Sequence, residues 1–203
     1  FWYGLLLAAL LVAPWLLPDY YVSQLVFIWI YAIAAIGLMI LVGFTGQVSL
    51  GHAAFLAMGA YTEAYLQQHG WPFALSLTFS ALVAGITGFI VEEGIARAES
   101  ITGGNAGKTI GSLEVFGLPI DSEQRFYYLS LFVLALVVVG VMNLLRSPTG
   151  RAFVAIRDSE ISAQSMGINL ARYKTIAFAL SAAVAGIAGA LYAHKLRYLS
   201  PDQ

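Results

Sequence analysis

Hydrophobic residues fall into long blocks in this chain and do not alternate with polar residues. Six apolar segments can be drawn, at residues 1–17, 20–42, 51–67, 72–91, 126–145 and 175–194. Residues 1–91 contain only two formal charges, Asp19 and Glu63, and the last two segments contain none. About 20 apolar residues of helix cross the hydrocarbon core of a bilayer. The pattern therefore predicts one all-α domain over residues 1–203, a polytopic transmembrane helix bundle of about six spans.

The composition agrees with this prediction. The chain is 60% hydrophobic and 10% charged, whereas a soluble domain carries about 25% charged residues. Cysteine is absent, which excludes disulfides and thiolate chemistry. Residues 1–18 are apolar but have no basic n-region and no initial Met, so we expect the natural N-terminus to lie further upstream.

Two polar regions separate the apolar blocks and differ in charge. Residues 92–125 hold six acids against three bases, and residues 146–174 hold five bases against two acids. Because Lys and Arg accumulate in short cytoplasmic loops, we expect residues 147–173 to be cytoplasmic and residues 92–125 extracytoplasmic. Within residues 92–125, the piece at 113–120 is predicted to be short and extended.

The basic region has the pattern of a surface helix over residues 151–167. Ser147 can cap it, Pro148 suits its first turn, Gly167 can end it, and Asn169 can cap the next helix. Its apolar residues fall near one face at helical spacing; they are Ala152, Phe153, Ile156, Ala163 and Met166. A connecting helix lying on lipid headgroups has the same pattern, and the residues alone favour that simpler explanation.

A polar, glycine-rich stretch at residues 43–52 interrupts the apolar sequence. It contains Gly43, Thr45, Gly46, Gln47, Ser49, Gly51 and His52. At membrane depth an irregular backbone is tolerated only where protein or a water-filled cavity surrounds it. Its polar side chains could bind a polar solute or could satisfy the backbone of a broken helix, and both explanations stay open. We take Gly46, Gln47, Ser49 and His52 as candidates for a substrate pathway.

Glu63 is a further pathway candidate, because carboxylates within spans are costly and often functional. It also lies a few residues from Gln67, Gln68 and His69 at an expected membrane edge, where an interfacial acid is an equally good explanation. In the last span, Ala182 pairs with Gly186 and Ala185 with Gly189 at a spacing of four. That spacing predicts a close helix-packing face.

The sequence does not contain the common catalytic motifs. The three histidines have no metal-ligand spacing, and residues 103–112 lack the spacing of a phosphate loop. No nucleophile elbow occurs. We therefore expect no catalytic residue, metal or cofactor in the chain, although an intramembrane enzyme or lipid-handling protein remains the alternative of a different class.

Three stretches resemble the permeases of branched-chain amino acid ABC importers. Residues 43–61, GFTGQVSLGHAAFLAMGAY, are similar to the family's signature. ITGGNAG at 101–107 is similar to its extracytoplasmic T-G-G segment, and residues 147–201 form the third match. The pattern is closest to the LivM-type subunit. Urea and short-amide permeases share it and stay open as alternatives.

The resemblance implies a permease subunit, not an enzyme, which moves branched-chain or related amino acids across the inner membrane. Its implied partners are a second permease subunit, an extracytoplasmic substrate-binding protein and two cytoplasmic ATPases that hold ATP and Mg²⁺. Family members usually have another span near residues 86–92 and further helices after residue 201, so we expect spans to be missing, including the C-terminal ones.

The resemblance also assigns a role to the basic region. ABC importer permeases dock on the ATPase through an E-A-A run followed by a glycine. Here Ile161, Ser162, Ala163 and Gly167 occupy that spacing, and Glu160 lies one place ahead of the usual acid. The implied ATPase-coupling residues are Arg151, Phe153, Ile156, Arg157, Asp158, Glu160, Ile161, Ala163 and Gly167.

Overall fold

The computed structural model describes residues 2–49, 51–94, 108–109, 114–115, 118–119, 122–196 and 198–199. The helices within these residues are α1 (Trp2–Leu16), α2 (Asp19–Leu38), α3 (His52–Gln68), α4 (Phe73–Gly94), α5 (Glu123–Arg146), α6 (Pro148–Asp158), α7 (Glu160–Ser165) and α8 (Leu170–Leu196). A π-helical turn, Met39–Gly43, continues α2. The strands are β1 (Lys108–Thr109), β2 (Glu114–Val115), β3 (Leu118–Pro119) and β4 (Tyr198–Leu199).

Each predicted apolar segment coincides with helical structure to within one or two residues at its ends, which confirms the all-α membrane bundle. Among the described residues, three helices are long and apolar enough to cross a membrane, at Asp19–Gly43, Glu123–Arg146 and Leu170–Leu196. Gly4–Leu16 and Phe73–Thr87 are shorter apolar helices. The number of six spans therefore stays a prediction.

Only part of the polar region at 92–125 is described. β2 pairs antiparallel with β3 inside the predicted extended piece, and β1 pairs antiparallel with β4. α4 continues to Gly94, so the first three residues of this region are helical. The T-G-G segment at 102–104 lies outside the described residues, as does most of the stretch predicted to be extracytoplasmic.

The central helix of the bundle is α8, which contacts α2, α3, α4 and the two short helices α6 and α7. Its buried face consists largely of small residues, including Ala182, Ala185, Gly186 and Gly189. Small residues allow helix backbones to approach closely inside a membrane. The packing face predicted from their spacing is confirmed.

Glycines bring α3, α4 and α8 into backbone contact. A Cβ atom placed on Gly59 of α3 would overlap the backbone of Gly186, and one on Gly189 would overlap the carbonyl of Leu56. A Cβ on Gly186 would lie 2.5 Å from the Cβ of Ala84. These three helices therefore form a tight unit that leaves no room for larger side chains.

Larger side chains fill the other side of α8. Val22, Val26, Ile30 and Ile33 of α2 are fully buried against α5 and α8. Tyr127 of α5 is also fully buried, and its hydroxyl donates to the carbonyl of Leu10 at 2.9 Å, which ties α5 to α1.

Alanine substitutions test the close packing. We expect Gly59→Ala and Gly189→Ala to lower the unfolding free energy by about 1–3 kcal/mol, because the added methyl group must displace backbone atoms. Gly140→Ala in α5 is the matched control, since nothing lies within 4 Å of its added Cβ. Thermal unfolding of the purified chain in detergent measures the effect. Equal stability of all three variants would contradict the packing.

Candidate functional site

The polar stretch after α2 is a broken helix whose backbone groups are bonded inside the chain. The π turn ends at Gly43, and Gly46 then adopts φ +69°, which turns the chain out of the helix. The carbonyl of Leu41 accepts from the Thr45 hydroxyl at 2.6 Å and from the Gln47 amide at 3.2 Å. We call residues 43–49 the break segment.

Two of the predicted pathway side chains bond to backbone. Gln47 Nε2 donates to Thr45 Oγ1 at 3.2 Å and to the carbonyl of Lys174 in α8 at 3.4 Å. His52 Nε2 donates to the carbonyl of Ala34 in α2 at 3.2 Å. For these two contacts, the explanation that polar side chains satisfy a broken helix is the better one.

Some polar atoms at the break have no such partner. Ser49 Oγ and His52 Nδ1 are buried and make no hydrogen bond to the part of the chain that the structure describes. A buried polar atom left unbonded costs about 1–3 kcal/mol. Whether these two atoms serve a polar solute stays a prediction.

Glu63 lies inside the bundle, which argues against an acid exposed at its surface. Its side chain is fully buried. Oε1 lies 2.7 Å from His194 Nε2 and accepts from Ser76 Oγ at 2.6 Å, and Oε2 accepts from Ser80 Oγ at 3.1 Å. Gln67 contributes a longer contact of 3.4 Å. We call Glu63, Ser76, Ser80 and His194 the buried acid cluster.

The buried acid cluster joins α3, α4 and α8 at a place remote from the break. Eleven residues separate His52 from Glu63 on α3, about 16 Å along the helix axis. The five predicted pathway residues therefore do not form one site. The sequence analysis missed the role of His194, 131 residues from its partner. The available signal was Glu63 itself, because a buried charge requires a partner.

A second ion pair lies next to the cluster. Lys195, which follows His194 on α8, pairs with Glu123 at the start of α5, and its ammonium lies 5.6 Å from the centre of the Phe27 ring. The Lys195 side chain is 6% exposed. This end of α8 is thus bonded to α3 and α5, and the His194 ring meets the Phe73 ring of α4.

The predicted coupling helix at 151–167 is in fact two helices, so its continuity was wrongly predicted. Ser159 has an extended backbone, φ −163° and ψ 111°, and its hydroxyl accepts from the Ser162 amide at 3.2 Å. Serine favours such an N-cap over a helix interior because its hydroxyl competes for backbone bonds. We call α6 and α7 together the helix pair.

The predicted ends of this region are confirmed. Ser147 caps α6 through a 3.3 Å bond from the Gly150 amide, and Pro148 is the first residue of α6. Gly167 has φ +86° just beyond α7, and Asn169 Oδ1 accepts from the Arg172 amide at the start of α8.

The break at Ser159 changes which residues of the helix pair are available to a partner. Ala152, Phe153, Ile156 and Ala163 are buried, but Met166, predicted on the same face, is 81% exposed. Phe153 packs with Ile40 and Leu41 of the π turn and meets the Tyr173 ring edge-on.

The buried side chains of the helix pair cannot form an outer docking surface in this arrangement. That expectation for Phe153, Ile156 and Ala163 is corrected: they hold the helix pair on the bundle. The other predicted coupling residues are exposed, namely Arg151, Arg157, Asp158, Glu160, Ile161 and Gly167.

The helix pair and the break segment lie at the same end of the bundle. Arg157 Nη1 of α6 donates to the carbonyl of Gly43 at 3.1 Å, across 114 residues of sequence. Glu160, the first residue of α7, pairs with Lys174 of α8 at 2.7 Å. The structure thus brings together two sequence stretches that were predicted to have separate roles.

A cleft of about 560 Å³ between α5 and α8 is the wrong environment for a polar solute. Its walls are apolar except for Ser147, with Val137, Leu144, Leu180 and Val184 among the lining residues. A polar solute would lose its hydrogen bonds to water there without replacement. The break segment is the better candidate for a pathway.

Substitutions in the buried acid cluster test its energetics. We expect His194→Leu to lower the unfolding free energy by about 1–3 kcal/mol, because it leaves the buried Glu63 carboxyl group without its 2.7 Å partner. The double variant Glu63→Gln with His194→Leu should recover part of this loss, since the buried carboxyl group is then absent. Denaturant titration of the purified chain measures both values.

Lys174→Met is the control for this prediction. Lys174 and Glu160 form a part-exposed pair, with side chains 32% and 53% exposed, and such pairs contribute about 0–1 kcal/mol. The single variant Glu63→Gln completes the cycle, and strictly additive losses at positions 63 and 194 would show that the two side chains are not coupled.

Comparison with known proteins adds the following findings. A family profile described as "Branched-chain amino acid transport system / permease component" matches residues 20–100 and 93–203. The high-affinity branched-chain amino acid transport system permease protein LivM of Escherichia coli K12 is 33% identical over 221 residues, covering 85% of this chain and 52% of that protein. LivM of Salmonella typhimurium LT2 gives the same identity and coverage.

A more distant relative covers less of the chain. The autoinducer 2 import system permease protein LsrC of Enterobacter sp. strain 638 is 32% identical over 75 residues, 37% of this chain and 22% of that protein. The chain spans about half the length of the LivM relatives. No solved structure matches it.

Proposed function

The chain belongs to the family of branched-chain amino acid transport system permease components, and from that membership we propose that it acts as a permease subunit of an ATP-driven importer. The proposed cargo is a branched-chain or related amino acid, and the proposed location is the inner membrane. The observation that carries the proposal is the helix pair, which is exposed on one side and packed against the break segment on the other.

The exposed side of the helix pair is the proposed docking surface for an ATPase. Ile161 and Met166 are 84% and 81% exposed on and just after α7, beside charged residues of both short helices. Protein–protein interfaces combine an apolar centre with a polar, solvent-accessible rim. ATP and Mg²⁺ would be held by the ATPases, and a second permease subunit and an extracytoplasmic binding protein would complete the assembly.

The buried side of the helix pair would transmit the movement of the ATPases to the helix bundle. Phe153 is fully buried against the π turn, so a shift of α6 displaces the end of α2 as well. Close-packed interiors transmit displacement with little compression. ATP-driven closure of the ATPases would thereby move the bundle as rigid bodies between inward-open and outward-open states.

The proposed pathway runs beside the break segment, at Gly46, Gln47, Ser49 and His52. Ser49 Oγ and His52 Nδ1 are the polar atoms there that the described residues leave unbonded. Glu63 is not part of the proposed pathway, because both its carboxylate oxygens are bonded within the buried acid cluster.

Two other functions remain distinguishable by experiment. A urea or short-amide permease would have the same break segment, and uptake assays with leucine and urea separate the two cargoes. An intramembrane enzyme or lipid-handling protein would need reactive groups that a substrate can reach. Glu63 and His194 are the obvious acid and base, and both are enclosed by helices, with side chains 0% and 2% exposed.

Substitution of the exposed apolar residues tests the docking surface. We expect Ile161→Ser and Met166→Ser each to weaken copurification of the ATPases with the full-length subunit by about tenfold, since truncation of an interface anchor costs more than about 1 kcal/mol. Membrane insertion and folded yield should not change. Phe153→Ala, by contrast, should lower the folded yield. Normal ATPase retention by both serine variants would contradict this surface.

Single cysteines test the sidedness, since the chain has none of its own. We expect Ser159→Cys to react with an impermeant maleimide only from the cytoplasmic side, because the basic residues of 146–174 favour that side. Asn105→Cys, outside the described residues, should react only from the opposite side. Labelling of whole cells and of inverted vesicles measures both, and the reverse pattern would overturn the orientation.

A further inference from the structure

Arg157 forms a bridge between α6 and the break segment. Its Nη1 donates to the carbonyl of Gly43 at 3.1 Å, at the last residue of the π turn. A helix end leaves its last carbonyls without helical donors. Such a carbonyl takes its donor from a cap, from water or from another element of the protein. Arg157 supplies that donor from a different element of the chain.

The guanidinium is held in position by a second contact. Nε and Nη2 of Arg157 both donate to Oδ1 of Asp158, at 3.1 and 3.0 Å. The planar guanidinium has its donors in a rigid fork. Asp158 therefore orients one edge of the fork while Nη1 points to Gly43.

The stem of Arg157 also covers the turn that follows. A Cβ atom built on Gly46 would lie 3.5 Å from Arg157 Cγ. The same side chain thus contacts the break segment at Gly43 and again at Gly46, where the backbone has φ +69°. The break segment therefore packs against this arginine at two positions.

A second connection between the helix pair and the break segment runs through α8. Glu160 pairs with the ammonium of Lys174, and the carbonyl of Lys174 accepts from Gln47 Nε2. α6 therefore contacts the break segment through Arg157, and α7 is connected to it through Lys174 of α8. The bond from Arg157 is the direct one.

We infer that Arg157 is a positioning residue that makes the conformation of the break segment depend on the position of α6. Displacing α6 from this position removes the donor of the Gly43 carbonyl, so the break segment must follow α6 or find another conformation. A ligand or partner shifts an equilibrium only through interactions that differ between the states, and this bond is such an interaction. The inference rests on the proposed function, because in that proposal the ATPases displace α6.

The experiment uses the full-length importer complex in proteoliposomes, with leucine as the transported probe. A background whose only cysteine is Val48→Cys reports on the break segment, because Val48 is 78% exposed. The variants are Arg157→Gln and Arg157→Lys. Arg172→Gln is the matched control, since it removes the same charge from an exposed side chain of α8, and the Arg172 contact to Asn169 uses only its backbone amide.

We expect ATP to change the maleimide labelling rate of Val48→Cys in the parent complex but not in Arg157→Gln. Leucine transported per ATP hydrolysed should fall about tenfold in Arg157→Gln, the effect of losing one charge-assisted hydrogen bond. The ATPases should stay bound. Arg157→Lys should be intermediate, because one ammonium can reach Gly43 without the fork to Asp158. Arg172→Gln should behave as the parent.

A second variant perturbs the same contact from the other side. Gly46→Leu places a side chain against Arg157, whereas Gly70→Leu has similar backbone strain, at φ +74°, with nothing within 4 Å. We expect only Gly46→Leu to reduce leucine transported per ATP. If Arg157→Gln fails to fold, the ATP response at Val48→Cys in Arg157→Lys decides the inference, because Gly46 also lies in the proposed pathway.

The inference is wrong if Arg157→Gln keeps the ATP response at Val48→Cys and the parental transport ratio. It is also wrong if Arg157→Gln releases the ATPases, since Arg157 would then belong to the docking surface. A parent complex that hydrolyses ATP without moving leucine would instead contradict the proposed cargo. The parent and the variant thus report on the two proposals separately.

Discussion

The requirement that every backbone polar group in a bilayer find a partner inside the protein governs this structure. α2 can stop at Gly43 only because Thr45, Gln47 and Arg157 supply donors to carbonyls of the π turn and its end. A polar, irregular stretch at this depth is otherwise costly. The same requirement explains why the break segment lies against α6 and α8, where those donors and covering side chains are found.

α8 organises the bundle by having polar contacts at its two ends and small residues between them. Lys174 joins the break segment and α7 at one end, whereas His194 and Lys195 join α3, α4 and α5 at the other. The 20 residues from Lys174 to His194 rise about 30 Å, close to the thickness of the hydrocarbon core. Charged and polar groups are thus concentrated towards the two membrane faces, and Ala and Gly fill the middle.

The buried acid cluster is best understood as an orienting device. A buried ion pair is often no more stabilising than apolar packing, but breaking one is costly. Glu63 accepts hydrogen bonds from α4 and α8 as well as lying on α3. The nearby glycines allow these helices to approach closely from several directions. The bonds to Glu63 specify which of these alignments α3, α4 and α8 adopt. This leaves the opposite end, with the break segment and helix pair, as the part suited to movement.

The sequence by itself determined the features that depend on local physics. Apolar blocks identified the helices, the caps at Ser147, Pro148, Gly167 and Asn169 marked helix ends, and the spacing of Ala and Gly marked the face of α8, because each follows from periodicity or from short-range hydrogen bonding. Only the tertiary structure decided the partner of Glu63, the inward position of Phe153 and the bond from Arg157 to Gly43. These join residues more than 100 positions apart, and no local pattern encodes which distant group completes a hydrogen bond. Ser159 lies between the two cases: its capping propensity is local, but whether it ends a helix depends on whether the tertiary contacts of α6 and α7 favour a break there.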